Sequence, residues 1–93
     1  MDNMPLGKMP ESRALAKAVA AEVRATLARQ NLLIKDLAEQ SGLSKGYLGK
    51  RLRDEAPLNL NDFEAICEAL GKDAQAFMNA AIKAAQEPEA SGQ

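Results

Sequence analysis

Apolar residues recur along this chain at helical spacing, and no segment alternates apolar and polar in the way a half-buried strand requires. Leu15, Val19, Val23 and Leu27 fall at i, i+4, i+8 and i+12, while Arg13, Lys17, Arg24 and Arg29 fall elsewhere. With Ser12 as N-cap, this predicts an amphipathic helix ending near Asn31. A second, shorter helix is expected over residues 34–41, with Leu37 and Ala38 inward and Gly42 stopping it in a left-handed conformation. Ser44 then caps a third helix, residues 45–53, on which Leu48 and Leu52 share one face. Pro57 and the Asn-rich stretch to Asn61 read as a loop. Asn61 is the expected cap of a fourth helix burying Phe63, Ile66, Cys67 and Leu70 and ending at Gly71. Asp73 caps a fifth, with a stripe of Phe77, Met78, Ala81, Ile82 and Ala85. The expectation is an all-α domain of five helices over residues 12–87. Residues 1–11 read as a flexible arm and 88–93 as a flexible tail.

Ninety-three residues suffice for one modest core. The apolar fraction of 46% rests largely on alanine, with Tyr47, Phe63 and Phe77 the sole aromatics, which suits closely packed helices. Cys67 stands alone and there is no histidine, so neither an internal disulfide nor a zinc site is expected, and Cys67 reads as a small core residue. No cofactor is implied. With no paired carboxylates in a cleft and no Gly-rich phosphate loop, no catalytic constellation can be assembled, and an enzyme is the weakest reading. The longest uncharged run, residues 74–82, is far too short to cross a bilayer. Residues 1–10 lack the apolar stretch of a secretory signal. These features place the chain in the cytoplasm, without a membrane partner.

The net charge of -1 hides an uneven distribution. Residues 1–53 hold ten Lys or Arg against five Asp or Glu; residues 54–93 hold two against eight. Such a chain can present a positive face to phosphates while its acidic half stays away.

That face centres on IKDLAEQSGLSKGYLGKRLR, residues 34–53. Two helices separated by a turn this tight cross steeply, which needs a small residue, Ala38, at the crossing and Gly42 at the turn. Leu37, Leu43 and Leu48 are expected to close the core between them. Leu48 and Leu52 then turn Lys45, Gly46, Gly49, Lys50 and Arg53 outward. Residues 44–53 carry four positive charges, Lys45, Lys50, Arg51 and Arg53, and no acidic residue. Each glycine costs the helix on the order of 1 kcal/mol against alanine, a cost that close approach to another surface such as a DNA groove would offset. A lysine near the helix start reaches guanine edges; later Lys and Arg hold phosphates.

From about residue 23 to 78 the chain resembles the Cro and phage-repressor class of helix-turn-helix regulators. Residues 44–71, with Tyr47-Leu48, the basic pair Lys50-Arg51, Leu52 and the acidic-Ala-Pro run ending at Pro57, are similar to a pattern common in actinobacterial and actinobacteriophage members. The resemblance implies a five-helix lambda-repressor-like domain whose second and third helices read double-stranded DNA. It places Lys45, Gly46 and Tyr47 at the base-facing start of the recognition helix, and Lys50, Arg51 and Arg53 along the backbone-contacting remainder, beside Ser44 and Gly49. Members often carry Ser or Thr then Gln at the start of the second helix; here Leu33 and Ile34 stand there, and Lys35 is the substitute phosphate contact. Ser41 and Arg51 replace apolar residues, so the third helix is expected to sit slightly rotated, with Leu52 in the core. Gly46 has no side chain for a base, so readout falls to Lys45, Tyr47 and Lys50, helped by DNA shape.

Such regulators commonly bind as dimers on half-sites about 34 Å apart. Phe77, Met78 and Ile82 are the candidate dimer interface; the same stripe also suits plain core. A chain this short leaves no room for an effector domain, which favours a repressor, of phage or prophage immunity type, and no small-molecule substrate is evident. The alternative is a helical protein-interaction module, an antitoxin or anti-regulator that kept the fold and uses its acidic half.

Overall fold

A computed structural model of the chain describes residues 11–87, and all the helices expected from the sequence are present. They are α1 (Ala14–Gln30), α2 (Ile34–Ser41), α3 (Lys45–Leu52), α4 (Leu60–Leu70) and α5 (Ala74–Gln86), with no strand among the described residues. Residues 1–10 of the expected arm, and the expected tail, 88–93, lie outside the described residues.

Helix α1 is the spine: it packs against α5 on one side and α3 on another, while α2 packs on α3 and α4, and α4 on α5. Val23, Leu37, Leu48, Leu52 and Ile66 are fully enclosed where these elements meet. Ala18, Ala20, Ala38 and Ala81 lie in the same core. Small side chains let helix axes approach closely, so alanine can share this interior with the aliphatic residues and the rings of Phe63 and Phe77. Cys67 is buried and free, and burial, with the Asp73 carboxylate adding to it, pushes its thiol pKa up. It is a core residue in the neutral form.

The helix stops follow the sequence closely. Asn31, Gly42 and Gly71 close α1, α2 and α4 in left-handed conformations. At Gly42, φ is 82° and the N–H donates to the Ala38 carbonyl at 3.0 Å, a geometry a β-carbon would strain. Ser44 and Asp73 cap α3 and α5 as expected, accepting from the N–H groups of Tyr47 at 3.1 Å and Ala76 at 2.9 Å.

Four expectations about caps and core need correction. Ser12 does not cap α1; Arg13 holds the N-cap position without a side-chain bond, and Ser12 is buried. Leu15 stands 52% exposed rather than in the core. A strict i+4 row walks about 40° round the helix at each step, because a turn takes 3.6 residues, so a row centred on Val19, Val23 and Leu27 leaves the core at its first member. The cap of α4 is Asn59, not Asn61: its Oδ1 accepts from the Asp62 N–H at 2.7 Å, and Asp62 Oδ2 accepts from the Asn59 N–H at 3.1 Å. That reciprocal pair starts α4 two residues before the position expected from Asn61 and leaves Leu60 exposed in its first turn. Leu43 and Leu70 are half-buried edges of the core rather than its interior.

Candidate nucleic-acid interface

The site is built from α2, the turn at Gly42 and α3. Leu37 and Ala38 hold α2 to the core, and Leu48 and Leu52 hold α3. At the start of α2, Asp36 accepts from the Leu33 N–H at 2.9 Å. The leucine at the N-cap has no acceptor to return, so only half of a capping box forms. Within the turn, the Leu43 N–H donates to Ser41 Oγ at 3.3 Å, giving Ser41 a turn-forming role in place of an apolar one.

With Leu48 and Leu52 inward, the far side of α3 presents Gly46, Lys50 and Arg53, all exposed. Ser44 and Lys45 are exposed at its N-terminus, and Lys35 is exposed on the first turn of α2. Lys35, Lys45 and Arg24 of α1 line a groove of about 500 Å³ floored by Leu27, Ala28, Leu32, Leu33 and Ile34. Two of the positive charges expected from the sequence, Lys35 and Lys45, therefore share one groove, with Arg24 beside them. A β-carbon at Gly46 would meet nothing within 4 Å, so this glycine keeps the centre of the face slim and open.

Several residues of the expected site are engaged within the protein. Gly49 does not face outward: it is buried, and the Arg53 guanidinium lies over it, 3.0 Å from where a β-carbon would stand. Tyr47 is half-buried, and its hydroxyl donates to the Asp62 carboxylate at 2.9 Å to Oδ2 and 3.1 Å to Oδ1. Arg51 stacks on the Tyr47 ring, its guanidinium carbon 4.1 Å from the centroid, with Nε buried. The expected apolar position is thus filled by a cation on an aromatic face, and Leu52 takes the core role.

Arg53 Nε also donates to Glu55 at 2.9 Å. Their mutual attraction raises the arginine pKa and holds the Glu55 carboxyl below its ordinary range. Arg24 adds an anchor that sequence reasoning treated as plain surface: its Nη1 donates to the Leu52 carbonyl at the end of α3 and lies 3.8 Å from Asp54. Asp54 itself has φ 63°, so the chain leaves α3 through a left-handed residue beside that arginine. Asp62 also escaped notice. Its local signal was legible, an Asn followed three residues on by an acid, whereas nothing in the sequence pairs Arg24 with residues 28 positions away.

A short helix crossing a second at a glycine turn, its free face positive, defines a DNA-binding helix-turn-helix regulator. The chain belongs to the helix-turn-helix family of the Cro and phage-repressor class, matching it over residues 23–77. Two crystal structures of the clp gene regulator ClgR from Corynebacterium glutamicum are similar. One has 26% identity and a TM-score of 0.69 over 78% of this chain and 95% of ClgR; the other has 27% identity and 0.74 over 88% and 86%. The wild-type restriction-modification controller protein C.Esp1396I shares the fold, at 22% identity and a TM-score of 0.71 over 77% of this chain and 94% of that one. No curated protein sequence matches the chain. Among the described residues no helix is long and apolar enough to cross a membrane.

Proposed function

We propose that this regulator binds a specific operator as a homodimer and represses transcription by occupying it, with α3 of each copy in the major groove. The carrying observation is the outer face of α3, where Gly46, Lys50 and Arg53 stand exposed beside Lys45 while the opposite side is locked in the core. Lys45 and Lys50 reach base edges; Lys35, Arg51 and Arg53 hold phosphates, with Arg53 first leaving Glu55. Arg24, at the rim of the same surface, adds a further positive charge. A gene regulator, ClgR, at 26–27% identity supports the regulatory reading. Repression of phage or prophage immunity type follows the resemblance of residues 44–71, in the bacterial or infected-host cytoplasm, and needs no small-molecule substrate.

A two-turn helix covers only a few base pairs, which favours two copies on an inverted repeat. Ile82, 37% exposed on α5, lies across a groove from Ala14 and Leu15 of α1, and the half-buried Met78 lines a second groove that also reaches Leu15, so this edge is the candidate two-fold contact. Phe77 is excluded from it: the ring is 4% exposed and packs on Phe63 with centroids 6.1 Å apart.

Selection of the purified chain on random duplexes at two salt concentrations tests the reading. Enrichment of an inverted repeat with steep salt dependence is expected. No retention at low salt overturns it in favour of a protein-interaction module using the acidic half.

A further inference from the structure

Helix α3 is two turns long and is held to the core by Leu48 and Leu52. These lie one turn apart on a single stripe, so together they fix the depth and tilt of the helix more firmly than its roll about that stripe. A roll of a few tens of degrees would move Gly46, Lys50 and Arg53 relative to any base edge. Contacts off the stripe must hold the roll, and the Arg24 donation to the Leu52 carbonyl is one of them.

Tyr47 lies roughly 100° round the helix from Leu48. Its hydroxyl reaches both oxygens of Asp62, a carboxylate 4% exposed. Asp62 cannot yield easily, because the same side chain accepts the Asn59 N–H while its own N–H is held by Asn59 Oδ1. The Arg51 guanidinium stacked over the Tyr47 ring covers this tie from the next turn. A buried carboxylate with several donors is costly to disturb, which suits a fixed reference point.

We infer that Asp62 is a positioning residue for DNA recognition: through the Tyr47 hydroxyl it sets the roll of α3, and so the aim of Lys50 and Arg53, without touching DNA. The inference rests on the DNA-binding reading above. It assigns the Tyr47 hydroxyl to the protein interior rather than to a base, and it predicts that sequence discrimination and simple affinity for duplex separate. A rolled helix still offers its charge to phosphates, but no longer meets base edges in register.

The test measures binding of wild type, Tyr47→Phe, Asp62→Ala and the double variant to the selected operator and to a random duplex, with helicity followed by circular dichroism. Tyr47→Phe and Asp62→Ala are each expected to weaken operator binding about tenfold, the size of one charge-assisted hydrogen bond. Random-duplex affinity should change by less than about twofold, and the double variant should lose no more than the worse single one. Asp62→Asn, which keeps an acceptor for the hydroxyl, should restore most of the discrimination. If Asp62→Ala does not fold, Tyr47→Phe and Asp62→Asn, which both retain the Asn59 cap, decide the matter alone. Equal losses on operator and random duplex, undiminished discrimination in Tyr47→Phe, or additive losses from Tyr47→Phe and Asp62→Ala would each overturn the inference, the last by showing that the hydroxyl acts independently of Asp62. A wild-type chain that retains no duplex overturns the DNA-binding reading instead.

Discussion

The Arg53 guanidinium folds back over Gly49 and is held there through Nε by Glu55, 2.9 Å away. The most C-terminal cation of the recognition segment therefore rests in an internal ion pair, on a glycine that leaves room for it. A phosphate competing for Arg53 must displace a carboxylate from the same surface.

Glu55→Gln removes that competitor and one negative charge beside the interface. Duplex affinity is expected to rise severalfold at low salt, with a salt slope steeper by about one ion, since one more cation is free to neutralise phosphate. Acidification should act in the same direction. Because Arg53 holds the Glu55 pKa below its ordinary value, the pair persists until the pH falls beneath the usual carboxylate range, and only there is Arg53 released. The pair's contribution to stability is present above the unfolded-state pKa and lost as pH falls through the lowered one; for so exposed a pair that contribution is small. Binding titrations of the variant at three salt concentrations check this, and an unchanged slope would mean that Arg53 never reaches phosphate.

The two glycines of α3 should respond differently. Alanine at Gly46 meets no neighbour, so Gly46→Ala should stabilise the free protein by about 1 kcal/mol through helix propensity while lowering operator affinity, because its methyl stands where the groove would approach. Gly49→Ala brings a methyl against the far end of Arg53, so the arginine swings away, with little effect on stability and none on close approach. Thermal melts beside operator binding separate the cases. A Gly46→Ala protein with full affinity would remove the need for a slim helix face.

Most of the fold was legible because its signals are local: Gly42 and Gly71 mark stops, Ser44 and Asp73 mark starts, and Leu48 with Leu52 set which side of α3 is buried. The errors came where a local signal had a rival. Asn59 and Asn61 both precede an apolar run, and only the reciprocal bonding of Asp62 with Asn59 selects the first. Ser12 and Leu15 fit a cap and a row, but the drift of an i+4 row carries one end out of the core. In the site, the set of cations was readable while their engagements were not. That Arg53 covers Gly49 depends on a side chain doubling back, and that Tyr47 serves Asp62 depends on the first turn of α4 coming within reach of the Tyr47 hydroxyl.

Arg24→Ala tests the anchor that the sequence did not reveal. It removes the donor to the Leu52 carbonyl at the end of α3 and leaves the Asp54 carboxylate without that cation. The arginine side chain is about half exposed, so the expected loss of stability is modest, about 1 kcal/mol. Both contacts run through Nη1 alone, so Arg24→Lys, whose single ammonium carries donors for carbonyl and carboxylate alike, should recover most of it. Chemical denaturation of both variants checks this; full stability in Arg24→Ala would show that water caps α3 equally well.

Phe77 and Ile82 share α5, yet substitutions there should fail in different ways. Phe77→Asp puts a charge into the contact with Phe63, costing more than about 3 kcal/mol from lost packing and an unpaired buried carboxylate. The expected product is largely unfolded, so its loss of DNA binding says nothing about assembly. Ile82→Glu alters a residue already 37% exposed and should leave helicity and melting nearly unchanged. If the α1–α5 edge forms the two-fold contact, this variant sediments as a monomer at concentrations where the wild type is dimeric, and it binds the two-half-site operator far more weakly while keeping its affinity for a single half-site. A folded Ile82→Glu dimer with intact operator affinity would move the two-fold contact elsewhere on the surface.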